Sequence, residues 1–421
     1  MNLRISALVA IATFALGGVF DSVPAQAQFT QQGPKLVGTG YAPGPTPLQG
    51  ISVAVSADGN TLVSGGSGNN DSSGAAWVFT RAGGVWSQQA MLVGNNAIGP
   101  YPAQQGISVS VSGDGNIVLM GGRADNGFIG AAWVFTRSNG VWSQQAKLVG
   151  TGVLNPQFGA AQGFSVSLSA DGNTALVGGF NDNFGVGAAW VFTRSGDAWS
   201  QQQKLVGTGV MIYHQGYSVS LSGDGRTAIV GAYHTSNVLP PSAAWIFTRL
   251  GDVWSQQAEL VGTDFTNPAA VSLSGDGNTA IVGGLSAEAA WVFTRSGAAW
   301  GQQVKLVGTE AIGSQPQQGG SVAVSGDGNT AIVGGRTDDD VGAAWVYTRS
   351  GGVWSQQAKL VGTGAIGMLS PQQGGSVALS GDGNTAIVGG PIDNNQIALR
   401  GCSRAREMRG ASNRSWLALA F

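Results

Sequence analysis

One block of residues recurs seven times along this chain, and it constrains the fold more than anything else in the sequence. Its clearest copy is Gly375-Ser376-Val377-Ala378-Leu379-Ser380-Gly381-Asp382-Gly383-Asn384-Thr385-Ala386-Ile387-Val388-Gly389-Gly390. The Asp of its Asp-Gly pair falls at Asp58, Asp114, Asp171, Asp224, Asp276, Asp327 and Asp382, and successive numbers differ by 51 to 57. A second block, Ala-Ala-Trp-Val-Phe-Thr-Arg in its commonest form, places tryptophans at Trp77, Trp133, Trp190, Trp245, Trp291 and Trp345. A third, as in Val141-Trp142-Ser143-Gln144-Gln145-Ala146-Lys147-Leu148-Val149-Gly150, adds Trp86, Trp142, Trp199, Trp254, Trp300 and Trp354. A unit of this size cannot bury its apolar face alone and must stack on its neighbours.

Each unit reads as four strands. Ser-Val-Ser-Val-Ser alternates small polar with apolar residues, the period of a half-buried strand. Asp-Gly-Asn is a hairpin turn, because these residues tolerate positive φ. Thr-Ala-Ile-Val-Gly-Gly is the second strand. Ala-Trp-Val-Phe-Thr is the third, with Trp and Phe on one face, and Trp-Ser-Gln-Gln-Ala-Lys-Leu-Val is the fourth. Four strands in seven copies predict an all-β, seven-bladed β-propeller of four-stranded blades, the last blade incomplete. A β-solenoid is the competing architecture, but its coils are shorter than this repeat. Small residues on the first strand suit the crowded centre, and the aromatics suit the wider space between blades. Phe29 to Gly40 reads as a lone fourth strand with no strands before it. Such an orphan is expected to complete the last blade, lock the ring and remove exposed sheet edges.

Charged residues make up only 10% of the chain and the net charge is -2, which argues against nucleic-acid binding. The many glycines (70) lack a collagen period and suit short strands joined by tight turns. Arg4, the apolar run from Ile5 to Phe20 and Ala25-Gln26-Ala27 read as a secretory signal cleaved before Gln28. The run is short for a membrane anchor, and no later segment is long and apolar enough to span a bilayer. The expected location is therefore periplasmic, extracellular or at the cell surface. Cys402 is the single cysteine, so no internal disulfide can form. The expected division is a signal peptide at 1–27, a propeller at 28–397 and a non-native tail at 398–421.

The order Gly-x-Ser-Val, Asp-Gly, Val-Gly-Gly, aromatic-Val-Phe resembles the FG-GAP repeat of integrin α-subunit heads. It is similar in particular to the bacterial variant carrying Trp-x-Gln-Gln-Ala-Lys-Leu. The resemblance spans Phe29 to about Ile397, although Phe-Gly itself is reversed, as in Gly163-Phe164 and Gly216-Tyr217. It implies a propeller that binds protein or glycan partners, and in many repeats a Ca²⁺ ion. A hard cation needs six or more oxygen ligands. The loop here, Ser-Gly-Asp-Gly-Asn-Thr, offers one carboxylate, so it is read as a turn and no cofactor or metal is expected.

Signals for catalysis are sparse. His214 and His234 lie in the fourth repeat, but no acidic residue stands beside them and no third ligand is apparent. Asp338-Asp339-Asp340 and Asn69-Asn70-Asp71 read as polar turns, as do Asp125-Asn126, Asp182-Asn183 and Asp393-Asn394 at the same loop. The Arg that ends each third strand (Arg81, Arg137, Arg194, Arg249, Arg295, Arg349) reads as a structural residue at the blade edge. Ligand contact is expected on the face carrying the loops from fourth to first and from second to third strands. Tyr101, Phe158, Tyr213, Tyr233 and Asp339 are the candidate binding residues. The leading functional expectation is a non-enzymatic, secreted binding or adhesion module for protein or glycan. The alternatives are a propeller enzyme of lactonase or lyase type and a structural domain of a cell-surface assembly.

The tail breaks the pattern. Ala398-Leu399-Arg400-Gly401-Cys402-Ser403-Arg404 can be written GCG CTG CGT GGG TGT TCA CGC, and reading from the third base gives Ala-Ala-Trp-Val-Phe-Thr-Arg. Carried on, Ala398 to Ala420 yields the segment from Ala188 to Val210. A shifted reading frame is therefore expected to have replaced the seventh repeat's third and fourth strands, leaving a tail without a strand pattern. A restored frame would encode its own fourth strand and make the orphan spare, or free to close a further blade downstream.

Overall fold

The computed structural model describes residues 29–41, 47–209, 214–233, 244–262, 268–364 and 370–393, with the backbone of two short strands in the tail. Six repeats form four-stranded antiparallel sheets whose strands lie side by side in chain order. In the second blade these are Gln105–Val111, Ile117–Gly122, Ala131–Ser138 and Val141–Leu148. The seventh repeat supplies two, Ser376–Leu379 and Thr385–Gly389. The all-β propeller expected from the repeats is thus present as six full blades and a partial one.

The Asp-Gly-Asn turn explains why its residues repeat. In the second blade the Asp114 carboxylate accepts from Ser112 Oγ at 2.5 Å, from Asn116 N at 3.0 Å and from Asn116 Nδ2 at 2.9 Å. Ser112 Oγ in turn accepts from Ile117 N at 2.9 Å. Gly115 sits at φ +72°, where a side chain is strained. Both carboxylate oxygens are thus occupied inside the turn, which is a polar clasp between first and second strands.

The blades are joined near the axis by backbone bonds between these turns. Ala57 N donates to Gly113 O, Gly113 N to Ala170 O, Ala170 N to Gly223 O and Gly223 N to Gly275 O. Asp276 N then donates to Gly326 O, Gly326 N to Gly381 O, and Gly381 N back to Ala57 O. The circuit closes through seven turns.

Further out, each third-strand tryptophan fills the gap to the preceding blade. Trp133 and Phe135 are buried against Val63, Ala76 and Val78 of the first blade. A Cβ at Gly94 would stand 2.5 Å from the Trp133 ring, so Val-Gly must end the fourth strand there. At the rim, the Arg137 guanidinium lies 5.3 Å from the Trp142 ring centre. Gln89 Oε1 of the preceding blade accepts from Arg137 Nη1 and from Trp142 Nε1, each at 2.9 Å. The repeated Arg therefore clamps adjacent blades.

The N-terminal segment makes the same rim contacts for the partial blade. Gln32 Oε1 accepts from Arg81 Nη1 at 3.2 Å and Trp86 Nε1 at 3.3 Å, as Gln89 does one blade on. Gln31 Oε1 accepts from Thr363 N at 3.0 Å, as Gln88 Oε1 does from Thr39 N. Phe29 is 6% exposed and packs with Leu360, Val377, Ala386 and Val388.

The tail departs from its expected lack of strands. Ser415–Ala418 pairs with the strand Thr385–Gly389, but in parallel, where every full blade has an antiparallel third strand; Cys402–Arg404 pairs antiparallel to it. An open strand edge presents unpaired N–H and C=O groups, and the nearest extended chain satisfies them whatever its direction.

Candidate functional site

Two positions of the repeat supply most of the lining of a cavity at the mouth of the channel, on the face carrying the fourth-to-first and second-to-third loops. One is the residue between Gly and Ser at the start of the first strand; the other follows the Gly-Gly that ends the second. The scaffold around them is constant, but these positions are not. The first carries Ile51, Ile107, Phe164, Tyr217, Gly320 and Gly375; the second carries Ser67, Arg123, Phe180, Tyr233, Leu285, Arg336 and Pro391. Bulk is concentrated on the third and fourth blades, while glycines leave room on the sixth and seventh.

A cavity of ≈ 360 Å³ results, with Phe164, Tyr217, Tyr233, Leu285 and Arg336 in its wall. Tyr217 and Tyr233 are stacked, ring centres 4.8 Å apart and planes at 23°. Phe164 stands 4.7 Å from Tyr217 and 4.7 Å from Phe180. His214 meets the Phe180 ring edge-on at 5.5 Å. An adjoining cavity of ≈ 570 Å³ shares Tyr233, Leu285 and Arg336 and adds Glu288, Ser314 and Gln317.

Two arginines flank the aromatic cluster. Arg123 lies over Phe164 at 5.5 Å, and its Nε donates to Gln104 Oε1 at 2.6 Å. Arg336 Nε donates to Gln317 Oε1 at 2.6 Å in the same manner. Burial and the neighbouring Tyr233 raise the Tyr217 phenol above its ordinary range, while the charges of Arg336 and Arg123 pull it back. Burial lowers the Arg123 guanidinium, which the Tyr217 oxygen opposes. Burial pushes the Glu288 carboxyl up, offset in part by bonds from Gln318 N and Gln317 N.

The residues expected from sequence do not converge. Tyr233 lines the channel-mouth cavity. Tyr101, 55% exposed, lies in a separate groove of ≈ 290 Å³ and pairs with Phe128 at 5.5 Å. Phe158, 58% exposed, pairs with Phe184 at 5.5 Å. Asp339 is exposed at φ +48° in its turn. Tyr213 and His234 lie outside the described residues. Reading the repeats for their turns and cores missed Phe164, Tyr217, Arg123 and Arg336. Setting the copies side by side and asking which positions vary would have found them.

Among the described residues no group of three His, Cys, Asp or Glu side chains is placed to hold a metal ion, and no helix is long and apolar enough to cross a membrane.

No family model matches the chain, and no curated protein does. Solved structures do resemble it. A protein from Lactobacillus plantarum aligns with TM-score 0.52 at 17% identity over 77% of this chain and 86% of its own. Two Bacteroides proteins provisionally assigned as 6-phosphogluconolactonases align as well. The one from B. uniformis gives TM-score 0.53 at 14% identity, over 77% of this chain and 88% of that one. The one from B. fragilis gives 0.52 at 13%, over 78% and 94%. These findings correct the resemblance to FG-GAP repeats of integrin type: the solved structures that resemble the chain include two propellers provisionally assigned as 6-phosphogluconolactonases. Gly-x-Ser, Asp-Gly and Val-Gly-Gly misled because blade geometry itself demands them, through a clasped turn at positive φ and close backbone approach at the channel. What the chain shares with these structures is the fold, a β-propeller.

Proposed function

We propose that this protein is an exported propeller that binds a small, sugar-sized ring at the mouth of its channel. The observation that carries this reading is the stacked Tyr217–Tyr233 pair, with Phe164 beside it, in a cavity of ≈ 360 Å³. That volume suits a small molecule, and the lining has the usual mix of aromatic walls and few polar groups. Aromatic faces accept the C–H face of a sugar ring, while its hydroxyls reach the polar edge of the site.

We also propose that the ring has seven blades, the N-terminal segment serving as outer strand of the last. Its Gln31, Gln32 and Phe29 contacts repeat those of fourth strands elsewhere. Export rests on the signal-like segment before Gln28, which lies outside the described residues.

A second reading, hydrolysis of a lactone, is favoured by the likeness to propellers assigned as lactonases. A lactone is itself a sugar-sized ring. Glu288, raised by burial and lining the adjoining cavity with Tyr233 and Arg336, is the carboxylate suited to guide water to the ester carbonyl. Titration calorimetry with a panel of monosaccharides and their acids, against wild type and Tyr217→Ala, tests the binding reading. Expected is measurable binding lost in the variant; equal heats for the two proteins overturn it. Acid release from gluconolactone, abolished in Glu288→Gln, would select the second reading.

A further inference from the structure

We infer that the loop face carries a second site, a strip of exposed aromatic rings on the second and third blades that binds a chain of neutral sugar rings. It does not rest on the channel-mouth reading.

Two blades build the same pair. Tyr101, in the loop before the second blade's first strand, meets Phe128, in the turn after its second strand, at 5.5 Å and 47°. Phe158 and Phe184, from the equivalent loop and turn of the third blade, meet at 5.5 Å and 50°. Phe128 and Phe184 are 39% and 64% exposed, and Tyr101 and Phe158 are also open to solvent. The pairs adjoin. A Cβ on Gly159, the residue after Phe158, would stand 2.7 Å from Phe128 Cβ, and Phe128 O accepts from Ala161 N at 2.8 Å. Asn181 Nδ2 donates to Phe158 O at 3.0 Å and fixes the loop on the turn.

Folding does not ask for these rings. Loop and turn are already tied by polar bonds. Ile98 N donates to Asp125 Oδ1 and Asn126 N to Ile98 O; Leu154 N donates to Asp182 Oδ1 and Asn183 N to Leu154 O. The sixth blade makes the same tie, Ile312 N to Asp338 Oδ1 and Asp339 N to Ile312 O, with no aromatic residue in its loop or turn. Phe128 and Phe184 sit at φ +69° and +58°, a left-handed backbone that a bulky side chain enters at a cost, where the sixth blade uses Asp340 at +57°. A ring that is both strained and exposed gains neither core burial nor an easy backbone. Its contact lies outside the chain.

The surroundings name the partner. Segments 93–104 and 149–162 hold no charged residue. In the turns 124–130 and 181–187 the only charges are Asp125 and Asp182, buried against Lys147 and Lys204. The groups around the rings are neutral amides and hydroxyls: Asn126 and Gln157 are exposed, and Asn70 and Ser73 line the groove beside Tyr101. A charged polymer or peptide meets no counter-charge here. Four rings, about half exposed, offer on the order of 400 Å², against ~800 Å² per partner in a stable protein interface. Aromatic faces edged by amides match the C–H face and the hydroxyls of a sugar. Two pairs in succession suit consecutive rings of one chain.

The test is titration calorimetry on the full chain with cellohexaose, xylohexaose and mannohexaose, their disaccharides, and hexagalacturonate. At least one neutral hexaose should bind, and bind tighter than its disaccharide and than the acidic chain. Phe128→Asn and Phe184→Asn place a residue suited to the left-handed backbone, so Tm should hold or rise. Each should nevertheless weaken hexaose binding by about tenfold, the loss of one stacked ring. Unchanged affinity in both variants, equal affinity for hexaose and disaccharide, a preference for hexagalacturonate, or no binding of any neutral hexaose would overturn the inference. Hexaose binding lost in Tyr217→Ala but kept in both phenylalanine variants would move the chain to the channel mouth and overturn it too. Light scattering that shows a dimer dissolved by Phe184→Asn would assign the strip to a second copy instead.

Discussion

Lys147 Nζ lies 2.7 Å from the buried carboxylate of Asp125, which belongs to the turn after the second strand of the same blade. The other Asp125 oxygen accepts from Ile98 N at 2.7 Å, and the ammonium rests 5.3 Å from the Trp133 ring centre. The arrangement recurs as Lys204–Asp182 and Lys359–Asp338, each at 2.6 Å. The first blade has Met91 where the lysine stands and Asn69 where the aspartate stands, so both charges are absent together. Without its lysine the buried carboxylate would be stranded; a lysine alone is tolerated, since Lys305 of the fifth blade rests over the Trp291 ring at 5.2 Å with no aspartate partner among the described residues.

Lys147→Met should therefore cost about 3–5 kcal/mol in denaturant unfolding, the toll of an uncompensated buried charge. Asp125→Asn with Lys147→Met, which copies the first blade, should recover most of that loss. Asp339→Ala, at an exposed position in the corresponding turn, should shift stability by less than about 0.5 kcal/mol. Additive losses in the double variant would contradict the paired role.

Tyr347 stands where five other blades carry Phe, and its hydroxyl is buried without a hydrogen-bond partner among the described residues. Burial drives this phenol far above its ordinary range. Tyr347→Phe should raise stability by about 1 kcal/mol by removing an unsatisfied polar group. An unchanged or lowered Tm would show that the hydroxyl has an undescribed partner.

Acid should weaken the clasped turns. Burial alone would raise the carboxyls of Asp58, Asp114, Asp171 and Asp327, but bonds from the preceding Ser and following Asn outweigh it and hold them below 3.8. A depressed folded-state value means stability that is present above the unfolded value and lost as pH falls through the folded one. The unfolding free energy should thus be flat near neutrality on account of these groups and fall below about pH 4. Replacing Asp114 by Asn should flatten the acid limb in proportion; an acid limb of undiminished slope would assign the loss elsewhere.

Phe29 reaches across the chain's whole length to pack on Leu360 and Val377. Phe29→Ala should cost about 3 kcal/mol, within the range for a buried phenylalanine. If the N-terminal segment were a loose appendage, the change would be silent in equilibrium unfolding.

The tail offers a further comparison. A gene restored to the frame that encodes Ala-Ala-Trp-Val-Phe-Thr-Arg after Ile397 would give Thr385–Gly389 an antiparallel partner in place of the parallel Ser415–Ala418. The restored chain should melt higher and aggregate less than this one. Equal melting temperatures would refute the shifted frame as a structural defect.

Much of this was legible in the residues because the repeat supplies its own internal comparison. The Asp-Gly turns and the Trp77 and Trp133 series follow from period and position, whereas Phe29 to Gly40, expected as a lone fourth strand, forms no strand and only repeats a fourth strand's rim contacts. The family resemblance failed for the same reason the fold reading succeeded: Gly94 and Gly115 are dictated by a tryptophan ring and a positive φ, which any blade of this shape requires. The channel mouth was missed because Tyr217 and Arg336 occupy places where the scaffold makes no demand. Nothing in local pattern marks them, and only ring closure brings blades two, four and six together. In sequence Asp338 reads with Asp339 and Asp340 as one polar turn, although the fold turns it inward to Lys359.

The circuit of backbone bonds from Ala57 through Gly113, Ala170, Gly223, Gly275 and Asp276, Gly326 and Gly381 back to Ala57 has no first member. A closed chain of like links can be cut for synthesis at any surface loop and rejoined at its old ends. Circular permutants opened at Thr151 or Thr309, between a fourth strand and the next first strand, should therefore assemble the same wheel, with the seam moved to a blade that has all its strands.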